Sequence, residues 1–354
     1  MKFRGAAMLR CLFMINVGLI GYGLAGATFH APLICANPQF HLSTVVTSRR
    51  EPVIRELPGV AIAPTLSAVL MDPAIDLVVI ASPSALHFEH ARAALLAGKN
   101  VVVDKPVATT SRQADELIEL AARRSRVFSV FQNRRWDNDY LTVRRLVDQG
   151  SLGKVCHYEV HFDRFRPQVK IGWREEPGPG AGILYDLGTH LIDQSVHMFG
   201  MPRAVTADVI AQRAGAAVDD YFHLVLDYFP LRVILHAATL VVQPGPHFTV
   251  HGDGGSFLKY GMDGQEDALK RGLLPGDPQW GDDSPQNYGE LTPAGGTPRK
   301  VATLRGGYEK YYEVLAACLE TGGPPPVDPR DARDGLMVLE AGQRSAAERR
   351  TIGV

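Results

Sequence analysis

The chain has 354 residues, 45% of them hydrophobic, enough to build two domains with sizeable cores and too many for one domain of ordinary size. Its 37 basic and 38 acidic side chains leave a formal net charge of -1, a balance that gives no support to a nucleic-acid partner or an anionic membrane surface. No segment has the length and apolarity of a membrane span. The four cysteines, Cys11, Cys35, Cys156 and Cys318, fall at no metal-ligand spacing and read as buried or half-buried free thiols in a reducing, cytoplasmic setting.

Arg4, Arg10 and the short apolar run after them have a faint look of a secretory leader, but that run continues without a cleavage site into the first strand. An N-terminal extension ahead of a start at Met14 is the better reading. Residues 15–20 then form an apolar strand that meets Gly21-Tyr22-Gly23-Leu24-Ala25-Gly26, with a helix expected over 24–37. A second strand fits 42–47, and the apolar run 75–81, ended by Ser82-Pro83, reads as a strand buried on both faces. Helices fit 86–97 and 110–124, with strands at 100–103 and 127–131. This alternation of strand and helix predicts a parallel sheet covered on both sides, an α/β dinucleotide-binding domain over 14–132.

Beyond residue 132 the rhythm changes. A helix over 137–149 leads into longer, partly alternating strands at 155–162, 204–213, 221–228, 232–239 and 247–251. They predict an α+β domain over 133–354 with a large, predominantly antiparallel open sheet, one face packed and one exposed. Helices are expected over 186–199, 308–320 and 332–349, and the Gly-, Pro- and Asp-rich stretch 272–298 reads as a long loop, ordered against a partner or ligand. An open sheet face favours a homodimer, or a dimer of dimers, through this domain.

The glycine spacing carries the first chemical reading. Gly21 permits a tight turn, Gly23 lets a pyrophosphate approach the backbone, and Gly26 lets helix and strand pack closely. Leu24 and Ala25 open the helix, whose free N–H groups suit phosphate. At the end of the second strand an NAD site usually places Asp or Glu; here stand Thr47, Ser48, Arg49 and Arg50. A hydroxyl and two guanidiniums suit a 2′-phosphate, so NADP is preferred, with NAD the second choice.

Three segments together resemble the glucose-fructose oxidoreductase, inositol dehydrogenase and rhizopine catabolism protein family, Gfo/Idh/MocA. They are Ala81-Ser82-Pro83-Ser84 with His87 beyond, Asp104-Lys105-Pro106 in place of a Glu-Lys-Pro signature, and Gly180 through Gln194. The segments at 132–137, 162–167 and 261–267 are similar to the branch of NADP-dependent scyllo-inositol dehydrogenases. Asp104 is one methylene shorter than the family's usual glutamate.

The resemblance implies hydride exchange between a nicotinamide and a CH–OH group of a sugar or cyclic polyol. It implies Lys105 and His190 as the proton-handling pair, with Asp186 binding a substrate hydroxyl and orienting His190. Either Lys105 or His190 can act as the base. Ser82, Pro83, His87, Asp104, Lys105, Asn133 and Arg134 are then expected on the cofactor, and Lys105, Arg166, Trp173, Arg174, Asp186 and His190 on the substrate. A metal is not expected, and Asp193 and His197 read as packing or support. Tyr308 is a weak site candidate, and Asp219 and Asp220 read as turn caps that the domain junction could bring inward. Two other functions compete: a non-catalytic dinucleotide-binding regulator, and a reductase of a non-sugar carbonyl.

Overall fold

A computed structural model describes residues 14–354; the N-terminal extension and Cys11 lie outside the described residues. The first sheet holds strands β1 (Ile15–Ile20), β2 (Phe40–Val46), β3 (Ala61–Ala63), β4 (Leu77–Ile80), β5 (Asn100–Asp104) and β6 (Phe128–Phe131). All neighbours run parallel, in the order β3-β2-β1-β4-β5-β6. Every residue of β4 and β6 is buried, because helices cover both sheet faces. Those helices are α1 (Ala31–Ala36), α2 (Arg50–Glu56), α3 (Leu66–Met71), α4 (His87–Leu96) and α5 (Ser111–Arg124). Thr65 and Thr110 cap α3 and α5, each accepting a backbone N–H from three residues on.

The expected first helix begins differently. Residues Ala25–His30 form a π-helical turn, and α1 starts only at Ala31. Apolar spacing carries no signal for such a shift, which is a change in hydrogen-bond partner and not in composition. The short elements β3, α2 and α3 were not expected; at three to seven residues they are too brief for a period to declare itself.

The second sheet has nine strands in the order β14-β13-β12-β11-β7-β10-β9-β8-β15. These are β7 (Val155–His161), β8 (Ala204–Ile210), β9 (Tyr221–Asp227), β10 (Arg232–Ala238), β11 (Phe248–Gly252), β12 (Gly255–Lys259), β13 (Gly289–Pro293), β14 (Arg299–Val301) and β15 (Ile352–Gly353). Only β7 and β10 pair in parallel. Along β9 the buried positions Phe222, Leu224 and Leu226 alternate with half-buried Tyr221, His223, Val225 and Asp227. Helices α7 (Thr189–Phe199) and α10 (Pro329–Glu348) pack on the apolar face, α6 (Asn138–Asp148) meets α7 through Tyr140 and His197, and α9 (Glu309–Thr321) packs on α1.

The stretch 272–298 is corrected: it contains β13, and Trp280 within it is fully buried, donating from Nε1 to Glu309 at 2.7 Å. Burial of one large indole anchors a segment whose composition suggested loop. Cys318 is buried, whereas Cys35 and Cys156 are exposed, contrary to the expectation of sheltered thiols.

The chain's last helices return to the first sheet. Tyr312 Oη meets Nδ1 of the fully buried His30 at 2.7 Å, and Tyr311 Oη donates to Ser129 Oγ at 3.0 Å. Ser129 Oγ in turn donates to the carbonyl of Val327, and Glu340 on α10 accepts from both the backbone N–H and the hydroxyl of Ser111.

Candidate active site

The strand order reverses between β1 and β4, the point at which open α/β sheets leave a crevice beyond their strand ends. The glycine loop lies there. Gly21 has φ of +100°, and a Cβ on it would sit 2.5 Å from the carbonyl oxygen of Ala81. A Cβ on Gly26 would collide with the carbonyl of Gly21, at 2.1 Å. Around Gly23 nothing lies within 4 Å, so the loop has an open cradle where a side chain would otherwise stand. A dinucleotide's pyrophosphate fits that cradle.

At the far end of the crevice Ser48, Arg49 and Arg50 are exposed at the start of α2. Thr47 Oγ1 accepts the backbone N–H of Arg49, which shapes the turn. Among the described residues neither guanidinium makes an ion pair, so both are free to meet a phosphate. Ser82 and Pro83 border the crevice beyond β4.

His87, expected against the nicotinamide, is placed otherwise. It is buried, with Nδ1 2.7 Å from the carbonyl of Pro106 and Nε2 2.8 Å from that of Ser82. Both nitrogens face these carbonyls, and the one that carries the proton donates, so His87 braces the loops after β4 and β5 and is not part of the cavity lining. Burial pushes its pKa down, against those two carbonyls and Asp104.

A cavity of about 460 Å³ opens between the two sheets. Leu24, Ala25 and Phe29 reach it from the glycine loop side, and Asp104, Lys105, Asn133 and Arg134 from the ends of β5 and β6. Arg166, Trp173, Arg174, Asp186 and His190 reach it from the second domain. Lys105 Nζ donates to the carbonyl of Asp186 and lies 3.1 Å from its carboxylate. Arg174 approaches the same carboxylate at 3.3 Å and stacks 4.4 Å from the ring centroid of Trp173. Burial pushes Lys105 below the usual lysine range, partly offset by Asp186 and Asp104. Burial works to raise Asp186, but Lys105, Arg174 and Arg164 outweigh it and hold the carboxyl well below its usual range.

Asp186 lies beside Lys105 and Arg174, and among the described residues it makes no hydrogen bond to His190. The reason is local: residues Leu184–Gly188 form a second π-helical turn before α7, which changes the angular offset that a regular helix would give residues four apart. His190 is 6% exposed, and its Nδ1 is enclosed without a partner, which leaves Nε2 as the nitrogen able to meet a substrate. Burial, then the charges of Lys105, Arg134 and Arg164, hold its pKa well below the ordinary value, so the ring is neutral.

Asp219 and Asp220 do turn inward. Asp219 accepts the backbone N–H of Leu184 at 2.7 Å, closing the start of the second π turn, and Asp220 pairs with Arg213 at 2.7 Å. Tyr308 is fully buried and donates to Asp137, away from the cavity. Asp193 is clamped by Arg135 at 2.7 and 2.8 Å, and His197 meets Tyr140 Oη, so both are structural.

Sequence reasoning missed several cavity residues, among them Glu266, Lys270 and Arg164. Glu266 and Lys270 sit on a short helix, α8 (Gln265–Lys270), that packs on the turn after the glycine loop. Glu266 pairs with Arg134 at 2.9 Å. Arg164 lines the cavity over the ring of Phe162. The acids opening α8 and the lysine closing it were a helix signal, too short to carry a period.

The profile described as the oxidoreductase family's NAD-binding Rossmann fold matches residues 15–132, and that of the same family's C-terminal alpha/beta domain matches 144–354. The chain is 44% identical over 341 residues to the scyllo-inositol 2-dehydrogenase (NADP(+)) of Bacillus subtilis, covering 96% of this chain and 95% of that one. A D-glucoside 3-dehydrogenase of Escherichia coli is 28% identical over 194 residues, 53% of this chain and 55% of its own length. Among solved structures, the yvaA oxidoreductase of Bacillus subtilis superposes with a TM-score of 0.94 at 42% identity, over 98% of this chain and 99% of that one. An oxidoreductase from Klebsiella pneumoniae gives 0.90 at 43% identity, over 97% and 95%.

Proposed function

The chain belongs to the Gfo/Idh/MocA oxidoreductase family, and from that premise we propose that it exchanges hydride between NADP and a CH–OH group of a sugar or cyclic polyol. The observation that carries this reading is the convergence of Lys105, Asp186 and His190 on one cavity that also reaches Leu24 and Ala25 of the glycine loop. When bound, the nicotinamide supplies the hydride acceptor or donor.

The chain's own residues do the rest. Lys105, positioned by Asp186, donates a hydrogen bond to the carbinol oxygen and stabilises the negative character it gains. His190, neutral, accepts the hydroxyl proton at Nε2 in the oxidative direction and returns it in the reductive one. Asp186 acts as the positioning group for Lys105 and Arg174. Arg166, Trp173 and Arg174 wall the substrate, the indole offering an apolar face to a ring. Gly21, Gly23, Leu24, Ala25 and Gly26 cradle the pyrophosphate, and Ser48, Arg49 and Arg50 take the 2′-phosphate. A second copy of the chain covers the open face of the nine-stranded sheet, giving a homodimer or a dimer of dimers.

The test is a screen of inositols, hexoses and pentoses with NADP and NAD, following the absorbance of the reduced cofactor. Turnover of at least one polyol with NADP is expected. No turnover of any CH–OH compound with either cofactor, by protein that still binds NADPH, would overturn the reading.

A further inference from the structure

We propose that the sugar or polyol accepted here carries an anionic oxygen group, a carboxylate or a phosphate, and that Arg164 selects for it; the proposal rests on the dehydrogenase reading above and names its substrate class. After β7 the chain runs on as a strap along the cavity wall. Its backbone is pinned: the N–H of Arg164 donates to Ala238 at 2.9 Å and that of Arg166 to Thr239 at 2.7 Å. The Arg164 guanidinium carbon lies 4.6 Å from the centroid of the Phe162 ring, which supports it from one side.

Three other guanidiniums that line this cavity are matched to carboxylates. Arg134 has Asp137 at 3.2 Å and Glu266 at 2.9 Å; Arg174 has Asp186 at 3.3 Å. Arg213 has Glu175 at 2.6 Å and Asp220 at 2.7 Å. Arg164 has no carboxylate within 4.0 Å among the described residues, and its side chain makes no hydrogen bond to the protein. Burial costs it enough that its pKa falls to about 10, with the charge of Asp186 offsetting only part. Arg164 lines the same cavity as Asp186 and His190.

A neutral polyol entering this space would remove more water from an unmatched cation and return only neutral hydroxyl acceptors. An anion returns charge-assisted bonds of roughly twice the strength, and the planar guanidinium fork suits two oxygens of one carboxylate or phosphate. Arg166 and Lys170, on the same strap and also without carboxylate partners, add positive potential along the approach.

The test compares ligands that differ only at one carbon: glucose, glucuronate and glucose 6-phosphate. Each is titrated by calorimetry into the NADPH-saturated protein, and each is assayed with NADP. At least one of the two anions should bind about tenfold or more tighter than glucose, and the winner identifies the group. Arg164→Gln should collapse that ratio to about threefold or less, while Arg164→Lys retains part of it. Arg164 has only its stacking on Phe162 to lose and no hydrogen bond or ion pair, so melting curves of both variants should stay close to wild type.

Glucose binding as tightly as both anions, or Arg164→Gln weakening all three ligands equally, would overturn the proposal. If neutral polyols turn over and neither anion binds, this proposal fails and the dehydrogenase reading stands. If glucuronate binds through Arg164 yet no CH–OH compound is ever oxidised, the reverse holds.

Discussion

The two sheets solve the same problem of burial in opposite ways. In the six-stranded parallel sheet both faces are apolar and covered, so β4 and β6 are buried at every position, and polar chemistry is confined to the strand ends. In the nine-stranded sheet every second residue packs, and the other face carries His157, Glu159 and His161 on β7, His223 on β9 and His236 on β10. The first sheet can place a ligand only at its edge, whereas the second can pack helices on one side and offer a polar surface to a partner on the other. The site arises where the edge of one meets the covered side of the other.

Substitutions can break or sharpen that contrast. The largest effect is expected at the edge. Lys105→Ala should lower turnover on the order of 10²–10³-fold, with NADPH affinity nearly unchanged. Normal turnover would remove Lys105 from the chemistry.

On the nine-stranded sheet, neighbouring residues should behave differently. Leu224→Ala, on the packed face, should cost about 2–5 kcal/mol in denaturant unfolding. Val225→Asp, on the other face, should leave a folded chain and shift the assembly toward monomer in light scattering. A monomeric wild type would show that this face needs no cover.

A smaller effect separates the two ends of the crevice. Arg49→Ala should narrow the preference for NADPH over NADH by about tenfold in titrations, since one phosphate contact is lost. An unchanged ratio would reject Arg49 as the reader of the 2′-phosphate.

The smallest effect belongs to the histidine face. Burial works against the charged form of His161, but Asp163 at 3.0 Å and Glu159 at 2.7 Å outweigh it and raise its pKa. A group whose folded pKa is raised stabilises most below its unfolded value, near ~6.5, and that contribution fades as pH climbs through the folded value. His161→Gln should therefore cost up to about 1 kcal/mol at pH 5.5 and less at pH 9, in paired thermal melts.

Much of this was legible along the chain. The spacing of Gly21, Gly23 and Gly26 after an apolar run named the crevice, because each glycine answers a local steric demand. Alternation along β9 and continuous burial in β4 told the two sheets apart. The legible signals stop where hydrogen-bond partners change without any change in residue type. The π turns at Ala25–His30 and Leu184–Gly188 are of that kind, and the second one sets Asp186 on Lys105 and not on His190. Arg164 escaped notice because what distinguishes it is the carboxylate it lacks, a relation that exists only once distant segments have met. Trp280 reads as loop by its Gly-, Pro- and Asp-rich neighbours, and only tertiary packing buries it.

The return of the last helices to the first sheet has a consequence for how the molecule is made. His30, Ser111 and Ser129 find their hydrogen-bond partners only in Tyr312, Glu340, Tyr311 and Val327. During synthesis the nucleotide-cradling half leaves the ribosome first, with that flank unshielded until the final segment follows. The polar groups on that flank of the cradle therefore stay without these partners until residues 308–340 have emerged.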